Sequence, residues 1–336
     1  MIKLLLYLKN FKICKGSRKG FTYVLVTTLM IAILLSIFFT ASKYRYQDQE
    51  SLQQVRIRAM NEFTQNLNND IHRATYISAF RTLLALEDHV TTTGIYLTDI
   101  NESFKETFYY GTINGTESQI MANSTFSDYV AKVSTISRVT GIFLTINVTH
   151  IGLVQSDPWN IDVHMLMNIT LRDSKNTASW NINKEYITTV PIANLRDPLY
   201  SKNTFNKVPN TIRQLNSSMN SSMLFNATNT ARLLEHINGS YYIASPYAPN
   251  FIMRFEGNTN ADLNGIESIV NDRILFNPEL IAYPDRIKID YIYFNNLTFP
   301  KLCVNITTPP TTSPFIVPID RKNLYQLQLI NSTACP

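Results

Sequence analysis

An unbroken apolar segment near the start of the chain dominates its hydrophobic pattern. Residues 21–40 contain no charged side chain. As a helix rising about 1.5 Å per residue, this segment is long enough to cross a hydrocarbon core of roughly 30 Å. No later run is comparable. The pattern therefore predicts a transmembrane helix over residues 21–42, preceded by a leader at 1–20 and followed by the bulk of the chain.

Beyond the apolar segment, the hydrophobic period remains that of a helix. Apolar residues recur at steps of three and four, and Gly94 marks the expected end of the row. This spacing predicts one long amphipathic helix that continues from the membrane and buries a single stripe. The predicted stripe consists of Met60, Phe63, Leu67, Ile71, Ala74, Ile77, Phe80 and Leu84.

Two shorter helices are predicted next. Asp99 can cap the first, which carries Phe104 and Phe108 at spacing four and ends at Gly111. Either Asn123 or Ser124 can cap the second, which ends near Gly141. The apolar row of the second helix is Phe126, Val130, Val133 and Ile136.

After Gly141 the period changes from about 3.6 residues to two, which indicates strands. Three strands are separated by turn signals at 157–160 and 173–176, and the third runs over 179–192. This arrangement is typical of an antiparallel meander with one buried face. The buried row of the second strand is predicted to be Ile161, Val163, Met165, Met167, Ile169 and Leu171.

The predicted fold class is α+β. A transmembrane helix continues into a long amphipathic helix that packs on the antiparallel β-meander, and together they form an extracellular domain over residues 43–196. An Asn/Ser-rich surface connection follows at 197–230. A second, smaller mixed region occupies 231–336.

Within that second region the pattern is weaker. It predicts short helices at 231–237 and 265–270 and a strand at 289–294, where Ile, Tyr and Phe dominate. The stretch 307–318 is rich in Thr and Pro and is expected to be extended.

The charges fix the expected orientation. Six basic residues and no acid precede the apolar segment, so the positive-inside rule places the N-terminus in the cytoplasm and the bulk outside the cell membrane. These residues also supply more than the whole net charge of +5. The basic leader is therefore expected to meet membrane lipid, and no nucleic-acid partner is predicted. A cleaved secretory signal is the competing interpretation, with a poor cleavage site at residues 39–42.

The junction Lys19-Gly20-Phe21, directly before the apolar run, resembles the class III signal of type IV pilins and archaeal pilin-like proteins. The resemblance implies cleavage between Gly20 and Phe21 by a prepilin-type peptidase, and pilin-like subunits as partners. Filament-forming members carry glutamate as the fifth mature residue, where this chain has Leu25. That departure implies an accessory or non-polymerising member. An ordinary uncleaved anchor is the alternative.

Residues 243–258 (IASPYAPNFIMRFEGN) resemble a segment of archaeal membrane-anchored surface proteins to which no activity is assigned. The resemblance extends loosely to the long helix and to residues 194–200. It implies a cellular location and a source class only.

The amino-acid composition agrees with a location outside the cell membrane. Only 16% of residues are charged, against about 25% in an average protein, and twelve Asn-x-Ser/Thr sequons follow the apolar segment. Asn147 and Asn168 fall on the predicted polar face of the meander, where an attached sugar would require them. The other glycosylation candidates are Asn114, which with Gly115 predicts a turn, Asn226 and Asn296.

Cys303 and Cys335 both lie beyond the span, and they are candidates for a disulfide that would tie down the C-terminus. The sequence leaves open whether they are joined. The five histidines show no metal-ligand spacing, and no cofactor is predicted.

No catalytic motif was found in the sequence: there is no Gly-x-Ser-x-Gly, no phosphate loop and no Gly-rich dinucleotide turn. The prediction is a structural or interaction protein and not an enzyme. The alternative is an extracellular ligand-binding or enzymatic ectodomain on an uncleaved anchor. That alternative would gain from a deep pocket with convergent polar groups between the two outer regions.

Overall fold

The computed structural model describes residues 18–176, 178–208, 210–214, 236–271, 275, 283, 286–297, 301–306, 315–320 and 333–334. Over these residues the protein is a mixed α+β structure with an N-terminal apolar helix and antiparallel sheets. The chain divides into two compact units, Met1–Phe63 and Thr64–Pro336.

Helix α1, Arg18–Thr93, is 76 residues long. Its segment Gly20–Lys43 has a mean hydropathy of 2.5, and it is the one helix among the described residues that is long and apolar enough to cross a membrane. Its few hydroxyls bond back to the helix: Thr27 Oγ1 donates to the Tyr23 carbonyl and Thr40 Oγ1 to the Ser36 carbonyl, each at 2.9 Å. Such bonds satisfy polar groups that lipid could not. The segment is consistent with a membrane anchor or a signal sequence.

The later part of α1 buries a stripe that includes Leu67, Ile71 and Leu83. Ile77, which the spacing predicts to be inward, is 49% exposed. Thr75 and Thr82 are buried instead, because their hydroxyls donate to the carbonyls of Ile71 and Ser78 at 2.7 and 2.8 Å and are thereby satisfied.

The predicted end of α1 is confirmed. The helix stops at Thr93, and Gly94 takes φ +67° while its N–H donates to the Val90 carbonyl at 2.9 Å. A left-handed residue at this point terminates the helix, and glycine adopts it without steric cost.

Helix α2, Ile100–Tyr110, is also confirmed with the predicted caps. Asp99 Oδ1 accepts from the Glu102 N–H at 3.1 Å, and Gly111 ends the helix at φ +78°. A two-residue hairpin follows, in which β1, Thr112–Ile113, pairs with β2, Thr116–Glu117. Asn114 and Gly115 both have positive φ, as the predicted turn requires.

Helix α3, Phe126–Val139, begins one or two residues later than expected, because its cap is Thr125 and not Ser124 or Asn123. Thr125 Oγ1 accepts from the Asp128 N–H at 3.0 Å, and Asp128 Oδ2 accepts from the Thr125 N–H at 3.1 Å. Asn123 has φ +58° and belongs to the preceding loop. The predicted apolar row is wrong at its end, since Ile136 is 62% exposed.

The meander is confirmed. Strands β3, Ile142–Asp157, β4, Asn160–Asp173, and β5, Ser179–Pro191, form an antiparallel sheet in the order β3-β4-β5. At the first turn Asp157 Oδ1 accepts from the Trp159 N–H at 2.7 Å. Every predicted inward residue of β4 is at most 1% exposed: Ile161, Val163, Met165, Met167, Ile169 and Leu171.

One feature of the meander was not predicted. The register between β3 and β4 shifts at a bulge between Val148 and His150. Before the bulge the buried residues of β3 have even numbers, as at Ile146, and beyond it odd numbers, as at Ile151. An extra residue in one strand reverses which side chains face the core, and simple alternation does not reveal it.

The chain that follows the meander, which is called the second region from here on and includes residues 197–214, consists of short elements. Strands β6 and β7 pair antiparallel, and β8, β9 and β10 form a sheet in the order β10-β8-β9. The elements are α4, Pro198–Asn203; β6, Tyr242–Ala244; α5, Phe251–Phe255; β7, Ile266–Ser268; α6, Asp290–Asn295; β8, Lys301–Ile306; β9, Phe315–Asp320; and β10, Thr333–Ala334.

Two predictions here are wrong. The helix expected at 265–270 is β7, which pairs with β6, and the strand expected at 289–294 is α6. The alternation in IDYIYF suggested a strand, but four successive residues of α6, from Asp290 to Tyr293, are buried. Residues 236–239 are helical, while the rest of the helix expected at 231–237 lies outside the described residues.

The start of the predicted surface connection is also folded. Asp197, Leu199 and Tyr200 are buried, because α4 lies within the core of the second region. Most of the remaining connection lies outside the described residues.

Candidate functional site

The predicted processing junction lies in the first turn of α1. Gly20 and Phe21 are both exposed, Phe21 by 71%, and apart from the adjoining helix backbone no described residue lies within 4 Å of where a Cβ on Gly20 would stand. A side chain at residue 20 would therefore meet no obstacle from the other described parts of the chain. Leu25, one turn further on, is 49% exposed.

Three asparagines stand side by side on the outer face of the meander. Asn147 of β3 stands directly opposite Asn168 of β4, which in turn stands opposite Asn183 of β5. Asn147 is exposed and Asn168 is half-buried, so both sequon residues lie opposite the apolar row, as predicted. Residues paired directly across strands have Cβ atoms about 4.5–5.5 Å apart, so the two sequons form a single patch. We call the three asparagines the asparagine row.

The other modification candidates are separated from that row. Asn114 is exposed at the tip of the β1–β2 hairpin, and Asn296 is exposed at the end of α6 with φ +52°. Cys303 lies in β8, where its backbone pairs with Thr333. Asn226 and Cys335 lie outside the described residues, so glycosylation and the disulfide stay predictions.

The histidines do not converge on a site. His164 Nδ1 lies 2.9 Å from Glu185 Oε1 on the outer face of the sheet, and His72 Nδ1 lies 3.2 Å from Thr188 Oγ1. Within the described ranges, no group of three His, Cys, Asp or Glu side chains is arranged to hold a metal ion.

The most concentrated chemistry is a buried ion network that the sequence did not predict. Arg254 of α5 lies between two carboxylates, with Nη1 2.6 Å from Asp197 Oδ2 and 2.9 Å from Asp290 Oδ2. Its Nη2 donates to the Ile266 carbonyl. All three ionic side chains are 0% exposed. The network therefore joins α4, α5, α6 and β7 at one point.

Hydroxyls and backbone groups complete the network. The Tyr242 hydroxyl donates to Asp197 Oδ2 at 2.7 Å and accepts from Asn210 Nδ2 at 2.9 Å. Asp290 Oδ2 also accepts from the Ser268 N–H at 3.2 Å and from the Ser268 hydroxyl at 3.1 Å. A buried charge costs several kcal/mol unless it is paired and hydrogen-bonded, and these contacts meet that cost.

The electrostatic balance of the network is uneven, because two carboxylates share one guanidinium. Burial raises the pKa of Asp290, Arg254 opposes that shift, and Asp197 adds to it. Burial also raises the pKa of Tyr242 well above its usual range, which keeps the phenol protonated as a donor. The neighbouring carboxylates hold the pKa of Arg254 above its ordinary value despite its burial.

One sequence signal could have revealed this network. Arg254 stands inside the apolar run FIMRF, and Asp290 stands inside IDYIYF. A charge surrounded by apolar residues is either exposed on one side of the element or buried with a partner. Asp197, before Pro198, also caps α4 by accepting from the Leu199 N–H at 2.8 Å. The sequence could not reveal that Arg254 pairs with Asp197, 57 residues earlier, and with Asp290, 36 residues later.

Beside the network lies a cavity of about 130 Å³. Residues from the first half of the predicted connection and from residues 231–336 line it together: Tyr200, Val208, Asn210, Arg213, Asn238, Ser240, Asn271 and Leu275.

Comparisons of this chain with protein-family models, with curated proteins and with solved structures give no match.

Proposed function

We propose that this protein is a membrane-anchored, pilin-like extracellular surface protein with a structural or interaction role. In this proposal Gly20–Lys43 crosses the cell membrane once, with the N-terminus in the cytoplasm. The observation that carries the proposal is the continuity of α1, a single helix of 76 residues whose first part is apolar and exposed and whose last part is buried in the outer unit.

Contacts inside the outer unit support a helix lying on the inner face of the meander. The Tyr186 hydroxyl of β5 donates to Asn68 Oδ1, and the His72 ring lies 5.4 Å from the Tyr186 ring. The end of α1 is therefore part of the folded domain that contains the sheet. A helix built into its domain in this way suits an assembling or adhesive protein.

The asparagine row supports a role at the cell surface. It is uncharged, exposed to half-buried, and contains two sequons. We propose that Asn147 and Asn168 carry sugars in a host that modifies sequons. Mass spectrometry of tryptic peptides would test this, with Asn183, which is in the row but not in a sequon, as the internal control. A sugar on Asn183 or on neither sequon in a glycosylating host would contradict the assignment.

Processing provides the sharpest test of the pilin-like part. N-terminal sequencing and intact mass of membrane-extracted protein should give a mature chain that starts at Phe21. Gly20→Val should block the cut while leaving insertion intact, since the apolar run is untouched. A wild-type mature chain that starts at Met1 would reduce the proposal to an ordinary signal anchor.

Leu25 bears on assembly. After cleavage, the α-ammonium of Phe21 would lie in the low-dielectric interior of a helix bundle. Neighbouring copies of this chain carry Leu25 there and supply no carboxylate to pair with it, so the chain should not form long homopolymers. Imaging cells that express it together with pilus assembly machinery should show no filaments made only of this chain. Leu25→Glu should gain filaments, whereas Leu25→Gln, which adds polarity without charge, should not. Abundant wild-type filaments would overturn the accessory role.

A ligand-binding ectodomain is the second candidate, and one observation favours it. The cavity beside the ion network gathers one guanidinium and three carboxamides from segments on both sides of residue 230. Convergent polar groups in a cavity are the feature that distinguishes a binding domain from a purely structural one.

A further inference from the structure

The residues that line the cavity beside the ion network favour a negatively charged ligand. Arg213 provides a cation, Asn210, Asn238 and Asn271 provide carboxamides, and the described lining contains no Asp or Glu. Carboxamides both donate and accept, whereas a guanidinium only donates. The lining therefore favours a polar ligand that carries an anionic group.

Arg213 is held in place but not used up. Its Nη2 donates to the Gly239 carbonyl at 2.7 Å, and its guanidinium lies 5.5 Å from the centre of the Tyr241 ring. A guanidinium has five N–H donors, so the bond to Gly239 leaves a planar pair available for a carboxylate. The ring contact restricts the side chain and reduces the entropy lost when it binds.

The carboxamides are also oriented before any ligand arrives. Asn210 Nδ2 donates to the Tyr242 hydroxyl at 2.9 Å, and Asn271 Nδ2 donates to Asn238 Oδ1 at 3.2 Å. The first of these bonds connects the cavity wall to the buried ion network. Fixed donors and acceptors of this kind give a site preference for one geometry of ligand.

The buried Tyr200 hydroxyl adds one more polar group to the wall of the cavity. The Ser268 hydroxyl donates to Asp290 at 3.1 Å, and it is also a hydrogen-bond partner of the Tyr200 hydroxyl. A phenol oxygen that donates a hydrogen bond can still accept one, so it can accept from a ligand hydroxyl or an ordered water.

We propose that this cavity binds a small carboxylate that also carries a hydroxyl, a 2-hydroxy acid of three or four carbons. Arg213 holds the carboxylate, the carboxamides hold the hydroxyl, and Val208 and Leu275 contact the short carbon chain. A volume of about 130 Å³ is sufficient for an acid of this size. The proposal deepens the second candidate function and does not depend on processing or assembly.

The nearby carboxylates set the main opposing effect. Asp197 and Asp290 repel an anion, but both are bonded to Arg254 and separated from the cavity by Tyr242 and Asn210. Arg213, in contrast, lines the cavity directly. The closer charge dominates, because the interaction falls with distance and with intervening polarisable groups.

Calorimetric titration of the full chain in detergent with sodium lactate tests the proposal. The expected dissociation constant is on the order of 1 mM, in keeping with so few ligand atoms. The neutral analogue 1,2-propanediol should bind at least about tenfold more weakly, since it lacks the charge-assisted bond. Sodium chloride at matched ionic strength gives the baseline.

Variants assign the effect to the cavity. Arg213→Gln should weaken lactate binding about tenfold, and Arg138→Gln, an exposed arginine of α3, should leave it unchanged. Tyr200→Phe should weaken binding a few-fold while circular dichroism stays the same. No saturable binding by about 10 mM lactate, equal binding of the diol, or unchanged binding in Arg213→Gln would each overturn the site. None of these results would alter the proposed anchored surface role.

Discussion

The meander and the second region are stabilised in different ways, although both belong to the same compact unit. In the meander a continuous row of apolar side chains on β4 is buried, and polar residues stand on the other face. In the second region the elements are two to six residues long, and charged side chains lie at 0% exposure among the apolar ones.

This difference shows where specificity comes from in each part. An apolar row is non-directional, and alternation along the chain is enough to place it. Arg254, by contrast, must meet two particular carboxylates from distant segments. Burying those charges is unfavourable unless all the partners are present, so the second region should fold as one polar-linked assembly.

The largest effect should come from breaking the ion network. Arg254→Met removes the shared partner and leaves two carboxylates buried. We expect the free energy of unfolding to fall by about 3–5 kcal/mol, as measured by denaturant titration of the full chain. Arg138→Met on exposed α3 should change it by less than about 0.5 kcal/mol.

A second variant separates unpaired charge from lost packing. Combining Arg254→Met with Asp197→Asn and Asp290→Asn removes the whole set of charges and keeps the side-chain shapes. This triple variant should lose less stability than Arg254→Met alone, since no buried charge is left without a partner. If the triple variant is the less stable of the two, the hydrogen bonds that the two carboxylates accept stabilise the second region by more than their unpaired charge destabilises it.

The stability of the meander should depend on which face of the sheet carries a substitution, and not on the loss of a charge. Met165→Ala removes a side chain that is 0% exposed and should cost about 2–5 kcal/mol through lost burial and a cavity. Leu166→Ala, one residue away but 38% exposed on the other face, should cost less than about 1 kcal/mol. Equal losses would contradict the observed register.

These contrasts explain which parts of the structure could be predicted from the sequence. The meander and the caps at Asp99 and Gly94 depend on residues close together in the chain, so spacing predicted them. The second region was misassigned at 265–270 and 289–294, because its short elements have no full period and are fixed by contacts such as Ser268 with Asp290. The cavity follows from the same distant contacts, and no local pattern marks it.

A carboxyl at the junction of the two regions should make stability depend on pH. Glu87 of α1 is 5% exposed, and its Oε2 accepts from the Arg196 N–H at 3.1 Å. Burial raises the pKa of Glu87 from 4.5 to about 7, while Arg196 opposes that shift. Between about pH 4.5 and 7, Glu87 is therefore protonated in the folded protein, whereas it has lost its proton in the unfolded chain. Stability from this group falls as pH rises through that window.

Glu87→Gln should remove this contribution. The slope of unfolding free energy against pH should change by at most about 1.4 kcal/mol per pH unit between 4.5 and 7, the limit for one proton. Glu102→Gln is the control, because the Glu102 side chain is 71% exposed. Denaturant titrations at several pH values measure both variants, and an identical slope in wild type and Glu87→Gln would show that Glu87 is not buried in solution.

The smallest effect concerns the N-terminal cap of α3. The sequence placed this cap at Asn123 or Ser124, two residues or one residue before the observed cap at Thr125. Thr125→Ala removes the side chain that accepts from the Asp128 N–H and should cost about 1 kcal/mol. Asn123→Gly deletes the originally expected cap while tolerating the left-handed backbone at φ +58°, so it should cost only a few tenths. If Asn123→Gly is the more damaging variant, α3 begins where the sequence first indicated. If Thr125→Ala is, reciprocal bonding with Asp128 determines the start of the helix. This outcome would show that even in the region where spacing succeeds, the first residue of an element is chosen by side-chain hydrogen bonds and not by the apolar period.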